Sequence, residues 1–269
     1  MAKLRDAVYG AAVGDALGVP FEFKERGTFK CVDMVAYGTH NQPAGTFSDD
    51  TSMLLATCDS LRVHDGKVDT HDMRERFVRW MDEGAYAVDG KVFDIGITVS
   101  RALRRGRGMA GERDNGNGSL MRIVPLAFVD AGREKIRKVS SITHAHRTST
   151  HACVAYVEAA RKLVEGLSVA DALCGVAVDD YEFDADKSRE LLRSGGYVID
   201  TLDSALWCLA NTGTYSECVL EAVNLGGDTD TTACVAGALA GIVYGYDAIP
   251  AEWVETLRGK DIIESCLFE

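Results

Sequence analysis

Residues 222–241 read AVNLGGDTDTTACVAGALAG: one apolar helical run stops at Gly226-Gly227, and a second starts at once with Asp228-Thr229-Asp230-Thr231. Thr214 followed by Glu217 fits a capping box for the first run, and the paired glycines supply its stop after Leu225. Along the second run, predicted over 230–245, Ala233, Gly237, Gly241 and Gly245 recur every four residues and leave a flat stripe on which another helix can close. In a bilayer such a stripe would mark a dimer contact. This stretch is too short to span one and opens in carboxylates, which points instead to close packing in the core of a helical protein.

The helical period extends outward from there. Leu4, Val8, Ala11 and Ala12 form one stripe, and Met73, Phe77, Trp80 and Met81 form another. Further runs with this period cover 51–62, 95–105, 119–130, 148–165, 199–210 and 215–225, while alternating strand patterns are scarce. Gly14, Gly18 and Pro20 are expected to break the first helix. The prediction is an all-α fold in a single compact multi-helix domain over 1–269, because no stretch rich in Pro, Ser or charge divides the chain.

Composition narrows the function. A net charge of −12 argues against general nucleic-acid binding, which needs a basic face. No apolar run reaches the length of a membrane span, and MAKLRDAVYG lacks the apolar core of a secretion signal, so no membrane association and a cytoplasmic location are expected. The eight cysteines are scattered without a CxxC pair, and Cys58, Cys153, Cys208, Cys218 and Cys234 lie in helical patterns, as buried reduced thiols would.

Ser48-Asp49-Asp50-Thr51 is a second acidic turn, and like Asp228–Thr231 it opens an apolar helical run. Together the two turns offer four carboxylates and several hydroxyls with no Lys or Arg beside them. Unpaired amides at helix N-termini tolerate such charge. If folding joins the turns, the result is an all-oxygen cage, suited to Mg²⁺, Mn²⁺ or Ca²⁺ rather than to zinc.

Other candidates keep two readings each. Glu22, just past the glycine–proline break, either reaches a metal or a water or is a solvated loop residue. Asp94, before the helical pattern from 97, is an N-cap, a functional carboxylate, or both. The turn Asp114-Asn115-Gly116-Asn117-Gly118-Ser119 feeds an expected helix start and can cradle a diphosphate, although it is neither a Walker loop nor a dinucleotide fingerprint. His144 and His146 stand two apart, which on a helix argues against zinc and leaves substrate hydrogen bonding or a structural role. Arg101, Arg104, Arg105 and Arg107 read as a solvated helix end, and no Cys or Ser has a base beside it for covalent catalysis.

Taken in order, GDALGVPFE (14–22), FSDDTSM (47–53), FDIGITVSRAL (93–103), NGNGSLMR (115–122), ITHAH (142–146), the 222–241 stretch and IPAEWVETL (249–257) resemble the ADP-ribosylglycohydrolase family. The resemblance implies an all-α domain around a central binuclear metal site holding two divalent cations, Mg²⁺ or Mn²⁺. It implies removal of ADP-ribose from modified side chains of a protein substrate, most often arginine and in some branches serine, with ADP-ribose as product. Carried onto this chain, Ser48, Asp49, Asp50, Asp228, Asp230 and Thr231 would ligate the metals, with Glu22 beside them as a ligand or positioning water. Asp94 would stand close to the scissile bond. Asn117, Gly118, Ser119 and Met121 would lie along the diphosphate and distal ribose, and His144 or His146 near the nucleotide. The family usually has Thr where Ser48 stands, and the hydroxyl is kept. The alternatives are a non-catalytic ADP-ribose or partner binder, such as a toxin immunity factor, and a hydrolase of a free ADP-ribosyl small molecule.

Overall fold

A computed structural model describes residues 3–268. Its first helices are α1 (Leu4–Gly18), α2 (Asp49–Val63), α3 (Thr70–Glu83), α4 (Ile97–Arg105), α5 (Arg133–Ser140) and α6 (Arg147–Val164). They are followed by α7 (Val169–Leu173), α8 (Val198–Ala210), α9 (Tyr215–Asn224), α10 (Thr229–Tyr244), α11 (Ala251–Thr256) and α12 (Lys260–Cys266). Strands β1 (Ala177–Val178) and β2 (Tyr181–Glu182) form a small antiparallel hairpin with Val178 opposite Tyr181.

Local chemistry sets several boundaries. Ser48, Asp69, His146, Ser168 and Thr214 each accept a first-turn amide of the helix they cap. At α9 only half of the expected capping box forms, because Glu217 reaches back to the amide of Gly213 rather than to that of Thr214. Gly84 ends α3 in the left-handed conformation, with φ 74°.

The core is built on α1 and α10, which run antiparallel with backbone against backbone. A Cβ on Gly10 would sit 2.2 Å from the carbonyl oxygen of Gly237, and one on Gly14 would sit 2.1 Å from that of Ala233. The small-residue stripe of α10 therefore has a partner stripe on α1, Gly10, Gly14 and Gly18. Gly245 does not belong to the contact: a Cβ there meets nothing, and the residue ends α10 at φ 83°. Buried Tyr215 donates to the Gly10 carbonyl at 2.7 Å, tying α9 to the pair.

Two expectations are corrected. α1 runs through Gly14 to Gly18, since the close α10 backbone occupies the space that side chains would need, and the chain turns only at a 3₁₀ segment containing Pro20. The run 119–130 is not an α-helix but turns followed by a 3₁₀ segment, Val124–Phe128. Pro125 lacks the amide that an α-helix needs and restricts Val124 before it. Leu120, Ile123, Val124 and Leu126 are buried all the same, so their spacing reports burial rather than α-helix.

Candidate metal centre and the cavity above it

The N-termini of α2 and α10 converge. The Thr231 hydroxyl donates to Asp50 Oδ2 at 3.2 Å, and the Ser48 hydroxyl donates to the same oxygen at 3.0 Å. Asp228 Oδ2 accepts from the Asn117 side chain at 2.8 Å, and Asp230 Oδ1 from the Thr231 amide at 2.9 Å. In each of these three carboxylates one oxygen is tied and the other is bare: Asp50 Oδ1, Asp228 Oδ1 and Asp230 Oδ2 are buried without a partner. Buried polar atoms in folded proteins are rarely left so, and three from two distant turns ask for a cation.

The electrostatics agree. Burial, then the neighbouring carboxylates, push Asp49, Asp50 and Asp230 well above the usual carboxylate range. A divalent ion would reverse that, and an oxygen donor set with a single nearby imidazole suits Mg²⁺, Mn²⁺ or Ca²⁺ better than zinc.

Asp15, on the last turn of α1, holds this floor together. Fully buried, it accepts the Ser48 amide at 2.9 Å, the Thr51 amide at 3.0 Å and the Thr51 hydroxyl at 2.6 Å, and so caps α2 from another helix. Burial raises it to about 6, against the opposing pull of these donors. One oxygen each from Asp15, Asp50 and Asp230 falls within 4.8 Å of the others.

The floor opens into a cavity of about 440 Å³ lined by Glu22, Asp49, Asp94, Asp228 and Thr231 on one side and by Asn117, Gly118, Met121 and His144 on another. No Lys or Arg among the described residues lines it. Glu22, Asp94, Asp230 and His40 bring ligand atoms within 4.8 Å of one another, and Glu22 hydrogen-bonds the His40 ring. Burial, offset by His40 and reinforced by Asp94 and Asp228, raises Glu22 to about 7. Asp94 rises too, mainly through burial. It sits at φ 53° in a loop that also holds Tyr86 and Asp89 in left-handed conformations, the kind of strain that gathers at functional sites. Phe23, 67% exposed, stands at the rim.

A family model described as ADP-ribosylglycohydrolase matches residues 1–268. The chain belongs to the ADP-ribosylglycohydrolase family. It is 34% identical to the ADP-ribosylarginine hydrolase Tri1 of Pseudomonas putida (strain GB-1), over 97% of this chain and 76% of that one. It is 32% identical to the ADP-ribosyl-[dinitrogen reductase] glycohydrolase of Rhodospirillum rubrum, over 94% of this chain and 90% of that one. A solved ADP-ribosylglycohydrolase-related protein complex matches with a TM-score of 0.83 at 30% identity, covering 98% of this chain and 95% of that one.

In this ADP-ribosylglycohydrolase the residues expected at the site divide. Ser48, Asp50 and Asp230 lie in the floor, Asp228 and Thr231 belong both to the floor and to the cavity lining, and Asp49, Glu22, Asp94, Asn117, Gly118, Met121 and His144 line the cavity above. Ser119 does not: its hydroxyl is buried against Ser140 at 3.0 Å and Cys153 at 3.5 Å. His146 stands apart too, capping α6 through the Thr148 amide beside a separate surface depression. Asp94 is not the N-cap of α4, a position held by Gly96. No α-helix starts at the Asp114–Ser119 turn, which is pinned instead by the Asn117 amide on the Gly196 carbonyl and by the Val198 amide on that of Asn115. Arg101, Arg104, Arg105 and Arg107 are exposed at the end of α4, and all eight cysteines are free, seven of them buried.

Sequence reasoning missed Asp15 and His40. Asp15 had a usable signal, a lone acid in an otherwise small and apolar stretch between Gly14 and Gly18. His40 had none, since only the fold brings it to Glu22.

Proposed function

We propose that the protein is a cytoplasmic hydrolase that uses two divalent cations, Mg²⁺ or Mn²⁺, to remove ADP-ribose from modified arginine side chains of a protein. The observation that carries this reading is the set of three bare carboxylate oxygens on the floor of an acid-walled cavity. Asp49, Asp50, Asp228 and Asp230, with the hydroxyls of Ser48 and Thr231, hold the cations. When bound, these supply Lewis-acid polarisation of the sugar oxygens.

The remaining steps belong to side chains of the chain itself. In the metal-free protein burial and the neighbouring carboxylates raise Glu22 to about 7, and Asp94 lines the same cavity. One carboxylate accepts a proton from the water attacking the anomeric carbon, and the other returns one to the departing nitrogen. Asn117, the Gly116–Gly118 backbone and His144 hold the ADP-ribosyl group. The named activity of the Pseudomonas putida relative supports arginine. So does the cavity, whose acidic lining and exposed Phe23 ring suit a guanidinium.

The test is a panel of peptides ADP-ribosylated on arginine or serine, together with free ADP-ribose, read by mass spectrometry with and without Mg²⁺ or Mn²⁺. Metal-dependent release of ADP-ribose from the arginine peptide is expected. Release only from serine would overturn the linkage, and binding without release would favour a non-catalytic role.

A further inference from the structure

Behind the cavity wall lies a buried cation with no counter-ion. Arg122 is fully buried, its guanidinium rests on the Phe77 ring with 4.6 Å to the centroid, and no carboxylate among the described residues is within 4.0 Å of it. Its nitrogens donate to the Gly118 carbonyl at 3.2 Å, to the Val139 carbonyl at 3.3 Å and to the Thr143 hydroxyl at 2.9 Å. Thr143 Oγ1 in turn lies 2.9 Å from His144 Nδ1.

The direction of this chain follows from donor chemistry. An arginine only donates, so Thr143 Oγ1 is an acceptor toward Arg122. Its own proton has one acceptor in reach among the described residues, His144 Nδ1. Donated there, that proton leaves Nδ1 bare and puts the ring hydrogen on Nε2. The nearby cation favours this arrangement, because a protonated Nδ1 would point positive charge at Arg122. Burial and Arg122 lower His144 to about 3, so the ring stays neutral. It packs on the two glycines of the cavity loop: a Cβ on Gly118 would meet Cε1 at 3.0 Å, and one on Gly116 would meet Nε2 at 3.3 Å.

We propose that Arg122 and Thr143 are positioning residues that lock His144 in its Nε2–H tautomer, giving a cavity without basic residues one fixed neutral donor for an acceptor oxygen of the ADP-ribosyl group. This rests on the cavity taking that group, as proposed above. A neutral donor of fixed tautomer neither titrates near neutrality nor draws off the negative charge of the metal floor.

Long-range ¹H–¹⁵N spectra of the labelled full chain test it, with His144 assigned by the signals lost in His144→Gln. In ligand-free protein Nδ1 should be unprotonated and Nε2 protonated, unchanged between about pH 5.5 and 8. Thr143→Val should mix the tautomers and weaken ADP-ribose binding by roughly threefold to tenfold, and Thr143→Ser should restore both. A protonated Nδ1 in the wild type would overturn the proposal even if Thr143→Val does not fold. Unchanged tautomer and affinity in Thr143→Val would overturn it as well. Failure of the wild type to bind ADP-ribose would instead overturn the reading of the cavity, and the ligand-free spectrum tells the two failures apart.

Discussion

Asp50, Asp228 and Asp230 differ from ordinary buried carboxylates in keeping one oxygen fixed by a protein donor and the other free of any. Asp230→Asn should therefore weaken Mn²⁺ binding by at least ~10-fold in calorimetry and lower activity with it. Asp94 lines the cavity, with a carboxylate oxygen within 4.8 Å of one from Asp230, and its assigned part is proton transfer, so Asp94→Asn should cut turnover by about 10²–10⁴ while Mn²⁺ affinity is kept. A matching loss of metal affinity would place Asp94 among the ligands instead. These acids were legible in the sequence because two Gly- or Ser-led acidic turns without neutralising cations are chemically conspicuous. His40 and the Arg122–Thr143–His144 chain were not, because each gains meaning only from a partner brought by the fold. Ser119 and His146 show the converse: residues beside a recognisable motif need not face its cavity, as the hydroxyl turned to Ser140 demonstrates.

At the level of elements, the antiparallel pair α1 and α10 decides where the acidic turns lie. The Thr229 hydroxyl donates to the Gly18 carbonyl at 2.8 Å, so the end of α1 meets the start of α10. Asp15, one turn from that end, then pins the start of α2. Gly14→Ala should destabilise the fold by about 1–3 kcal/mol or more in denaturant melts, because its methyl would meet backbone 2.1 Å away. Gly245→Ala would meet open space and answer only for its φ of 83°. Asp15→Ala should cost about 2–3 kcal/mol by stranding the buried Ser48 and Thr51 amides, and a loss near zero would contradict its capping role. The helical period revealed most elements, including the small-residue stripe of α10. It failed over 119–130, where burial imposes a similar spacing on a segment that Pro125 keeps out of the α conformation, and it gave no notice that glycines within α1 would serve packing instead of breaking the helix.

Across the whole molecule, the crowded carboxylates couple stability to pH and to metal. Asp15 and Glu22, raised to about 6 and 7, hold protons in the folded metal-free protein that the unfolded chain has already released near pH 4. Their contribution to stability is complete below that pH and is lost as pH rises through 6 and 7, when like charges accumulate on the floor. The increase in Tm caused by saturating Mg²⁺ should therefore grow from pH 5 to pH 7.5, and an increase independent of pH would contradict this origin. The same two acidic turns, brought to one place by α1, are what the whole account depends on. Anomalous diffraction from crystals equilibrated with millimolar Mn²⁺ tests that most directly. Two peaks are expected, bounded by Asp50 Oδ1, Asp228 Oδ1 and Asp230 Oδ2, and a floor without anomalous density would contradict a binuclear centre there.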